Sequence, residues 1–270
     1  MLAAILALVP AARADRLPLW EAGAGIAGIS LPDYRGSDQT RVHVLPVPYF
    51  VYRGEFLQVD REKVRGLFVR RAHWESDVSF GATVPVKSDD NAARHGMPDL
   101  DATLEVGPSV NFFLRHSSDG KFKLDLRLPL RAVNATDLHK MRQVGWIFQP
   151  NLNLDVHDVL GNRGWSLGIL GGPVFADRRY HRYVYGVDPA FATAARPAYN
   201  ARGGFGGIQL IAAMSKRFPR FWLGGFVKYD NLSGAVFADS PLVKRNQNLS
   251  AGLALSYVFG QSEKRVEAND

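Results

Sequence analysis

The chain has 270 residues, 46% of them apolar, with a mean hydropathy of −0.12, a formal net charge of +7 and no cysteine. This composition predicts a folded chain, and the absence of any run of about 18 apolar residues excludes a helical membrane protein. The lack of cysteine excludes disulfides, thiolate catalysis and cysteine-ligated zinc. The basic excess suits an anionic partner, but its residues are scattered along the chain, which argues against nucleic-acid binding.

The first 14 residues, MLAAILALVPAARA, have the features of a cleaved secretion signal. The apolar segment is too short to span a bilayer, Pro10 ends it, and an A-x-A cleavage motif finishes at Ala14. We therefore predict cleavage between Ala14 and Asp15; the alternative is a buried N-terminal helix. The prediction divides the chain into a signal peptide (1–14), a folded domain (15–259) and a polar tail (260–270).

The first segment of the folded domain, 20–30, carries Gly23, Gly25 and Gly28 at the spacing of the dinucleotide-binding fingerprint. That fingerprint requires a helix directly after the glycine turn. Pro32 makes a helix improbable here. Because alternate residues of the segment are small, we predict a first barrel strand in which glycine gives clearance and lets the sheet curve.

Apolar and polar residues alternate with a period of two along much of the chain, which is typical of strands with one apolar and one polar face. Several segments reach ten residues, longer than average soluble strands and as long as strands that cross a bilayer. The predicted strands are twelve: 20–30, 41–52, 55–61, 67–73, 76–86, 101–115, 121–132, 144–157, 163–175, 204–216, 220–230 and 247–259.

Two all-β architectures fit this alternation. A soluble sandwich packs its apolar faces together, whereas a membrane barrel turns its apolar face to lipid and its polar or small residues to the lumen. The signal peptide, the strand lengths and the aromatic strand ends favour a transmembrane antiparallel up-and-down β-barrel of about 12 strands. The aromatic residues of the predicted interfacial girdles are Trp146, Trp165, Tyr257 and Phe259. On the strand 121–132, the candidate lumen-facing residues are Lys123, Asp125, Arg127 and Arg131.

The predicted connections fall into two length classes, as in bacterial outer-membrane barrels, where periplasmic turns are short and external loops are long. With an even strand number, both termini are periplasmic. The predicted periplasmic turns are 53–54, 116–120, 158–162 and 217–219. The predicted external loops are 31–40, 62–66, 87–100, 133–143, 176–203 and 231–246, all of them long except 62–66.

Two motifs mimic hydrolase sites. Residues 164–168 (GWSLG) match the G-x-S-x-G nucleophile elbow, but that motif needs a strand-to-helix turn, and Gly171, Gly172 and Pro173 follow instead. His116-Ser117 is a sequence-adjacent His–Ser pair of the kind an outer-membrane lipid hydrolase could use, yet residues 117–120 are typical of a turn. We predict no catalytic residue, no metal site and no cofactor.

Several stretches resemble the MipA/OmpV family of outer-membrane proteins. They are LPDYRGSD (31–38), LPVPYFVYRGEF (45–56), the segment 180–207, DSPLV (239–243) and the terminal strand ending at Phe259. The resemblance covers nearly the whole chain after the signal peptide and implies a barrel in the outer membrane of a Gram-negative bacterium. One departure is the tail 260–270, because such barrels often end at the terminal strand aromatic; we expect this tail to be disordered.

The resemblance also implies a function. In the namesake of the family the barrel is a scaffold that joins a murein-degrading lytic transglycosylase to a murein-synthesising penicillin-binding protein, and other members are described as antigens or adhesins. The first hypothesis is therefore a non-enzymatic scaffold embedded in outer-membrane lipid and lipopolysaccharide. The second is a narrow pore or ligand channel, and the third is a lipid hydrolase.

Overall fold

The computed structural model describes residues 16–53, 57–59, 64–66, 69–137, 139–159 and 164–267. The predicted signal peptide and its cleavage site between Ala14 and Asp15 lie outside these residues. Within the described ranges the strands are β1 (Arg16–Pro18), β2 (Trp20–Pro32), β3 (Thr40–Arg53), β4 (Leu57–Val59), β5 (Val64–Gly66), β6 (Val69–Arg70), β7 (Trp74–Thr83), β8 (Ala102–His116), β9 (Phe122–Thr136), β10 (Met141–Phe148), β11 (Asn151–His157), β12 (Trp165–Ala176), β13 (Gly204–Arg217), β14 (Phe221–Asn231), β15 (Gln247–Gln261) and β16 (Arg265–Glu267). The helix α1 spans Arg178–Tyr185, and 3₁₀ turns lie at Ser88–Asp90 and Pro189–Phe191.

The strands form an antiparallel sheet in the order β5-β4-β3-β2-β15-β14-β13-β12-β10-β9-β8-β7-β6. The first and last long strands, β2 and β15, are therefore neighbours, and β11 continues β10 because both pair with β9 and β12. The two ends of the sheet meet where β5 contacts β7. Each predicted strand overlaps at least one observed strand, so the prediction of an up-and-down barrel of about 12 strands is confirmed.

Burial in this barrel is the reverse of that in a soluble sandwich. Large apolar side chains are exposed on the outside, such as Val42 and Leu253 with 74% and 71% of their surface accessible. Charged side chains are buried on the inside, such as Glu105 with 7% and Asp230 with none. This arrangement is stable only where lipid covers the apolar face.

Gly23, Gly25 and Gly28, which have the spacing of the dinucleotide-binding fingerprint, lie on β2 between its neighbours β3 and β15. A Cβ at Gly23 would collide with the carbonyl oxygen of Tyr257, and one at Gly25 with that of Leu255. Glycine at these two positions is thus required by the close approach of β2 to β15. The prediction of a strand here is confirmed.

The long connections fold over one end of the barrel and form a unit that we call the plug: residues 33–39, 84–101, 177–203 and 232–246. The plug has its own apolar core, whose buried residues include Tyr34, Leu100, Val184, Tyr185, Leu232, Phe237 and Leu242. The rings of Tyr185 and Phe237 stack with centroids 3.7 Å apart. These connections are therefore packed together rather than being separate solvated loops.

Three boundaries predicted from the sequence are wrong. The loop 133–143 is mostly strand, because β9 runs to Thr136 and β10 begins at Met141. The loop 62–66 contains β5, while its residues 62 and 63 lie outside the described part. The tail 260–270 is not wholly disordered, because β15 runs to Gln261 and β16 pairs with β1.

The other end of the barrel carries the short connections, which we call the turn end. There 71–73, 117–121 and 218–220 join neighbouring strands, and β1 and β16 form a separate two-stranded ribbon. Of the predicted turns 53–54 and 158–162, residues 54 and 160–162 lie outside the described part. Inside the turn end, buried Tyr49, Val51 and Val258 pack with Trp222.

Candidate binding cavity inside the barrel

A cavity of about 880 Å³ lies between the plug and the middle of the barrel. Its two walls differ in chemistry. The polar wall comes from β8 to β11, and its residues include Glu105, Ser109, Asn111, Arg127, Arg131, Gln149 and Asn151. The more apolar wall comes from β2 and from β12 to β14, where Ile29, Leu31, Leu170, Ile211 and Phe226 line the cavity together with Gln209 and Lys228. A cavity with one wall of each kind suits an amphipathic ligand.

A chain of hydrogen bonds crosses the cavity from β8 to the plug. Arg131 donates from Nε to Glu105 Oε2 (2.8 Å) and from Nη2 to Gln149 Oε1 (2.7 Å). Gln149 Nε2 donates to Gln209 Oε1 (2.7 Å), and Gln209 Nε2 donates to Asp230 Oδ1 (3.0 Å). These partners lie on four strands, β8, β9, β13 and β14, and on the link between β10 and β11, so the chain of hydrogen bonds fixes the cross-section of the barrel.

The hydrogen-bond chain ends at an ion pair that ties the plug to the barrel wall. Arg35, in the plug, donates from Nε to Oδ1 of the fully buried Asp230 on β14 (2.8 Å). Lys228 Nζ lies 3.3 Å from the other carboxylate oxygen. A buried carboxylate needs such partners, because an unpaired charge in the interior is strongly destabilising.

Two polar atoms that line this region have no hydrogen-bond partner among the described residues. They are Nη2 of Arg35 and Oδ1 of Asn151, and both are buried. Buried polar atoms are nearly always hydrogen-bonded in folded proteins. An unpartnered donor and acceptor in one cavity therefore indicate where a polar ligand group can bind.

The four sequence-predicted lumen residues separate into two groups. Arg131 and Arg127 line the cavity, and Arg127 Nη2 lies 3.3 Å from Asp155 and 3.7 Å from Asp125. Asp125 also accepts from His116 Nε2 (2.7 Å), towards the turn end, where Lys123 is half-buried. The structure thus places these side chains on the inner face; that they contact a solute stays a prediction.

The residue predicted to terminate the barrel, Phe259, points outward with 68% of its surface exposed. Because β15 continues to Gln261, Phe259 is not the last residue of its strand. Its role as an assembly signal stays a prediction. Trp146 and Tyr257 are also exposed on the outer face, as interfacial girdle residues must be.

Sequence reasoning missed one His–Ser pair. His157 on β11 and Ser166 on β12 are partners in register, with Nδ1 and Oγ 2.9 Å apart. The sequence could have revealed this pair, because the two residues lie on either side of the turn between these strands. His157 Nε2 has no partner in the described ranges, so the third group that orients a catalytic imidazole is missing. Ser117 instead organises its turn, accepting from the backbone N–H of Phe122 (3.0 Å).

Two arginines that sequence reasoning did not single out hold the plug together. Buried Arg94 donates to the carbonyl oxygens of Val184 (2.9 Å) and Pro98 (3.0 Å), and burial lowers the pKa of its guanidinium. Arg196 donates to the carbonyl of His95 (2.9 Å). Each arginine therefore joins the plug segment 84–101 to the plug segment 177–203. Burial also raises the pKa of Tyr34 in this core to about 12.

His181 is the buried imidazole of the plug. Its Nδ1 donates to the carbonyl of Arg202 (2.7 Å), and its ring packs edge-on against Phe237. Burial lowers the pKa of His181, nearby Arg35 lowers it further, and the Arg202 carbonyl and Asp177 partly offset this. The neutral imidazole is therefore the form that suits the packed plug.

Within the described ranges, no group of three or more His, Asp and Glu side chains is arranged to hold a metal ion. None of the helices described is both long enough and apolar enough to cross a membrane.

The outward apolar face, the polar interior and the two length classes of connection define an outer-membrane β-barrel. The family model described as MltA-interacting protein MipA matches residues 24–259. The chain belongs to this family, and its location is the outer membrane.

No curated protein matches the chain. Solved structures with some likeness include a bacterial polysaccharide outer membrane secretin, at 10% identity and a TM-score of 0.44, covering 89% of this chain and 99% of that one. An outer membrane channel from Pseudomonas putida F1 has 12% identity and a TM-score of 0.42, covering 93% and 100%. OprG from Pseudomonas aeruginosa has 9% identity and a TM-score of 0.23, covering 90% and 94%. At these TM-scores the likenesses carry no argument about this chain.

Proposed function

We propose that the barrel is a non-enzymatic binding and transport protein, and that its cavity holds a small solute beneath the plug. The observation that carries this proposal is the 880 Å³ cavity with two unpartnered buried polar atoms, Arg35 Nη2 and Asn151 Oδ1. A barrel that served only as a rigid surface would gain nothing from unsatisfied polar atoms in its interior, because each one costs stability.

The plug makes this transport a gated process. Arg35 faces the cavity and anchors the plug to Asp230 through Nε, so a ligand that binds its Nη2 acts on the same side chain that holds the anchor. Ligand binding in the cavity is thereby coupled to the attachment of the plug.

Conductance of the purified barrel in a planar bilayer tests this proposal. Arg35→Gln removes the charge of the plug anchor and is expected to raise the open probability at least tenfold over a nearly closed wild type. The matched control is Arg182→Gln, because Arg182 also pairs with a carboxylate, Asp188, but both residues lie within the plug and are exposed. Equal conductance of the wild type and both variants would contradict a gated passage.

The scaffold is the second candidate, and the name of the family, MltA-interacting protein, favours it. On this proposal the β1–β16 ribbon offers the contact surface, because it lies at the turn end, on the opposite side of the barrel from the plug. A photo-crosslinker at Leu17, used in native membranes, is expected to capture a lytic transglycosylase or a penicillin-binding protein. The same crosslinker at Ala192 in the plug is the control, and capture at neither position would reject the scaffold.

A further inference from the structure

Two cationic side chains that line the cavity share a single carboxylate. Arg35 and Lys228, which we call the cation pair, both lie against the fully buried Asp230, at 2.8 and 3.3 Å. Among the described residues, neither of them has a second carboxylate within ion-pair distance. The cation pair and Asp230 together therefore carry one excess positive charge inside the barrel.

The other arginines that line the polar wall have carboxylates of their own. Arg131 donates from Nε to Glu105 (2.8 Å), and Arg127 lies 3.3 Å from Asp155 and 3.7 Å from Asp125. The excess positive charge is thus confined to the cation pair. A buried charge without a counterion is strongly destabilising, so this part of the cavity favours an anion.

Arg35 keeps a donor available for such an anion. Its Nε donates to Asp230, whereas its buried Nη2 has no hydrogen-bond partner in the part of the chain that the structure describes. A second carboxylate can therefore bind Nη2 while Asp230 keeps Nε. Hydrogen bonds between a guanidinium and a carboxylate are roughly twice as strong as those between neutral groups.

The hydroxyl of Tyr180 adds an uncharged donor beside the cation pair. Tyr180 belongs to α1 and lines the cavity within the electrostatic range of Arg35 and Arg131. Within the described ranges its backbone N–H is bonded to Asp177, and its hydroxyl has no partner. Burial raises the pKa of Tyr180, so the hydroxyl keeps its proton at physiological pH and can donate it.

Apolar side chains surround Lys228 on the same face of the sheet. Lys228 is in register with Ile211 of β13, and Phe226 lies two residues before it on β14. Phe226 is in turn in register with Gly252, which pairs with Ile29 of β2. Because directly paired residues and alternate residues of a strand share a face, these apolar side chains project into the barrel together with Lys228.

The charge and its surroundings together select a class of ligand. One excess positive charge matches a monovalent carboxylate, whereas a phosphate monoester brings about −1.5 to −2 charges at pH 7. An inorganic anion would leave Ile211 and Phe226 without contact, while an apolar group attached to the carboxylate would cover them.

We propose that the cavity binds an organic monocarboxylate with an apolar body, an inference that rests on the proposed binding and transport function. The carboxylate accepts hydrogen bonds from the cation pair and from the hydroxyl of Tyr180. The apolar body packs against Ile29, Ile211 and Phe226. Binding neutralises the excess charge of the cation pair.

Calorimetric titration of the purified barrel in zwitterionic phospholipid nanodiscs with 3-phenylpropionate tests this inference. Two probes of the same shape are compared with it, the neutral 3-phenylpropionamide and the cationic 3-phenylpropylamine. We expect the carboxylate to bind at least about tenfold more tightly than either, because it alone forms charged hydrogen bonds with the cation pair. Equal affinities of the carboxylate and the amide would overturn the ligand class and leave binding in the cavity intact.

Lys228→Gln tests where the carboxylate binds. It should weaken binding of 3-phenylpropionate at least about tenfold, and Lys228→Arg should retain most of the affinity. The matched control is Lys216→Gln, because Lys216 lies on the outer face beside Trp165 and Phe218. Wild-type affinity in Lys228→Gln would overturn the site.

Ile211→Glu is a second test of the site, and it holds even if Lys228→Gln does not fold. This substitution supplies a carboxylate from the protein beside Lys228 and should abolish binding of 3-phenylpropionate, whereas an unchanged affinity would overturn the site.

The outcome is separable from that of the proposed function. Absence of binding of all three probes to the wild type would overturn the ligand class, and raised conductance in Arg35→Gln would then still support gated transport. Selective binding of the carboxylate with unchanged conductance in Arg35→Gln would instead support the ligand class and contradict the gate.

Discussion

Leu126 and Arg127 are neighbours in sequence and lie on opposite sides of the barrel wall. Leu126 is in register with Phe112 and Leu152, both exposed on the outer face. Arg127 points inward to Asp125 and Asp155. A single residue step thus separates lipid from the lumen, because side chains of a strand alternate between its faces.

We expect Leu126→Arg to destabilise the barrel by about 2–4 kcal/mol, because it places a charge in lipid. Arg127→Leu should cost much less, since His116 and Asn153 remain as partners for the two carboxylates. Equilibrium unfolding of both variants in lipid vesicles measures the difference. Equal losses would mean that the two faces are reversed.

Protonation of His181 should loosen the plug. Burial lowers the pKa of His181 below its usual 6.5, so the unfolded plug binds more protons than the folded one. Plug stability is therefore complete above pH 6.5 and is lost as the pH falls through that value towards the folded pKa. Hydrogen exchange of α1, corrected for intrinsic rates, should be faster at pH 5 than at pH 8. His181→Gln should remove this difference, and a difference that persists would assign it to another group.

At the scale of elements, α1 is positioned by a glycine of the barrel wall. Its N-cap, Asp177, accepts from the backbone N–H of Tyr180 (2.9 Å), and this first turn lies against Gly145 of β10. Gly145 has φ +147°, and a Cβ there would come within 2.6 Å of the Tyr180 nitrogen. The helix can approach the wall this closely only because residue 145 has no side chain.

We expect Gly145→Ala to displace α1, through both the strained φ and the overlap with Tyr180, at a cost of about 1–3 kcal/mol. Gly28→Ala is the matched control, because a Cβ at Gly28 meets nothing within 4 Å. Hydrogen exchange across 178–185 should increase in the first variant alone. Unchanged protection in Gly145→Ala would show that α1 is held by the plug core rather than by the wall.

At the scale of the whole molecule, the lack of cysteine allows the orientation to be tested. Single cysteines at Ala192 and Ser233, both exposed in the plug, should react with an impermeant maleimide on whole cells. Cysteines at Ser118 and Arg220, exposed at the turn end, should react after the outer membrane is breached. The opposite labelling pattern would show that the barrel has the inverse orientation, with the turn end outside the cell. Ala93 does not suit this test, because it is buried in the plug core.

The sequence by itself determined the barrel, because the period of two, the strand lengths and the inversion of polarity are local properties that lipid requires. The sequence also determined short turns such as 117–120, where residues typical of turns separate two segments of alternating apolar and polar residues.

Only the tertiary structure decided the plug and the cavity. The plug core joins residues as distant as Tyr34 and Leu242, whose hydroxyl and carbonyl are 2.9 Å apart. The polar chain from Glu105 to Arg35 likewise requires four strands and the link between β10 and β11 to close around one space. No period or motif marks such contacts, because irregular segments have no repeating geometry. Their partners are therefore fixed by the closure of the barrel, which brings the ends of all its strands together.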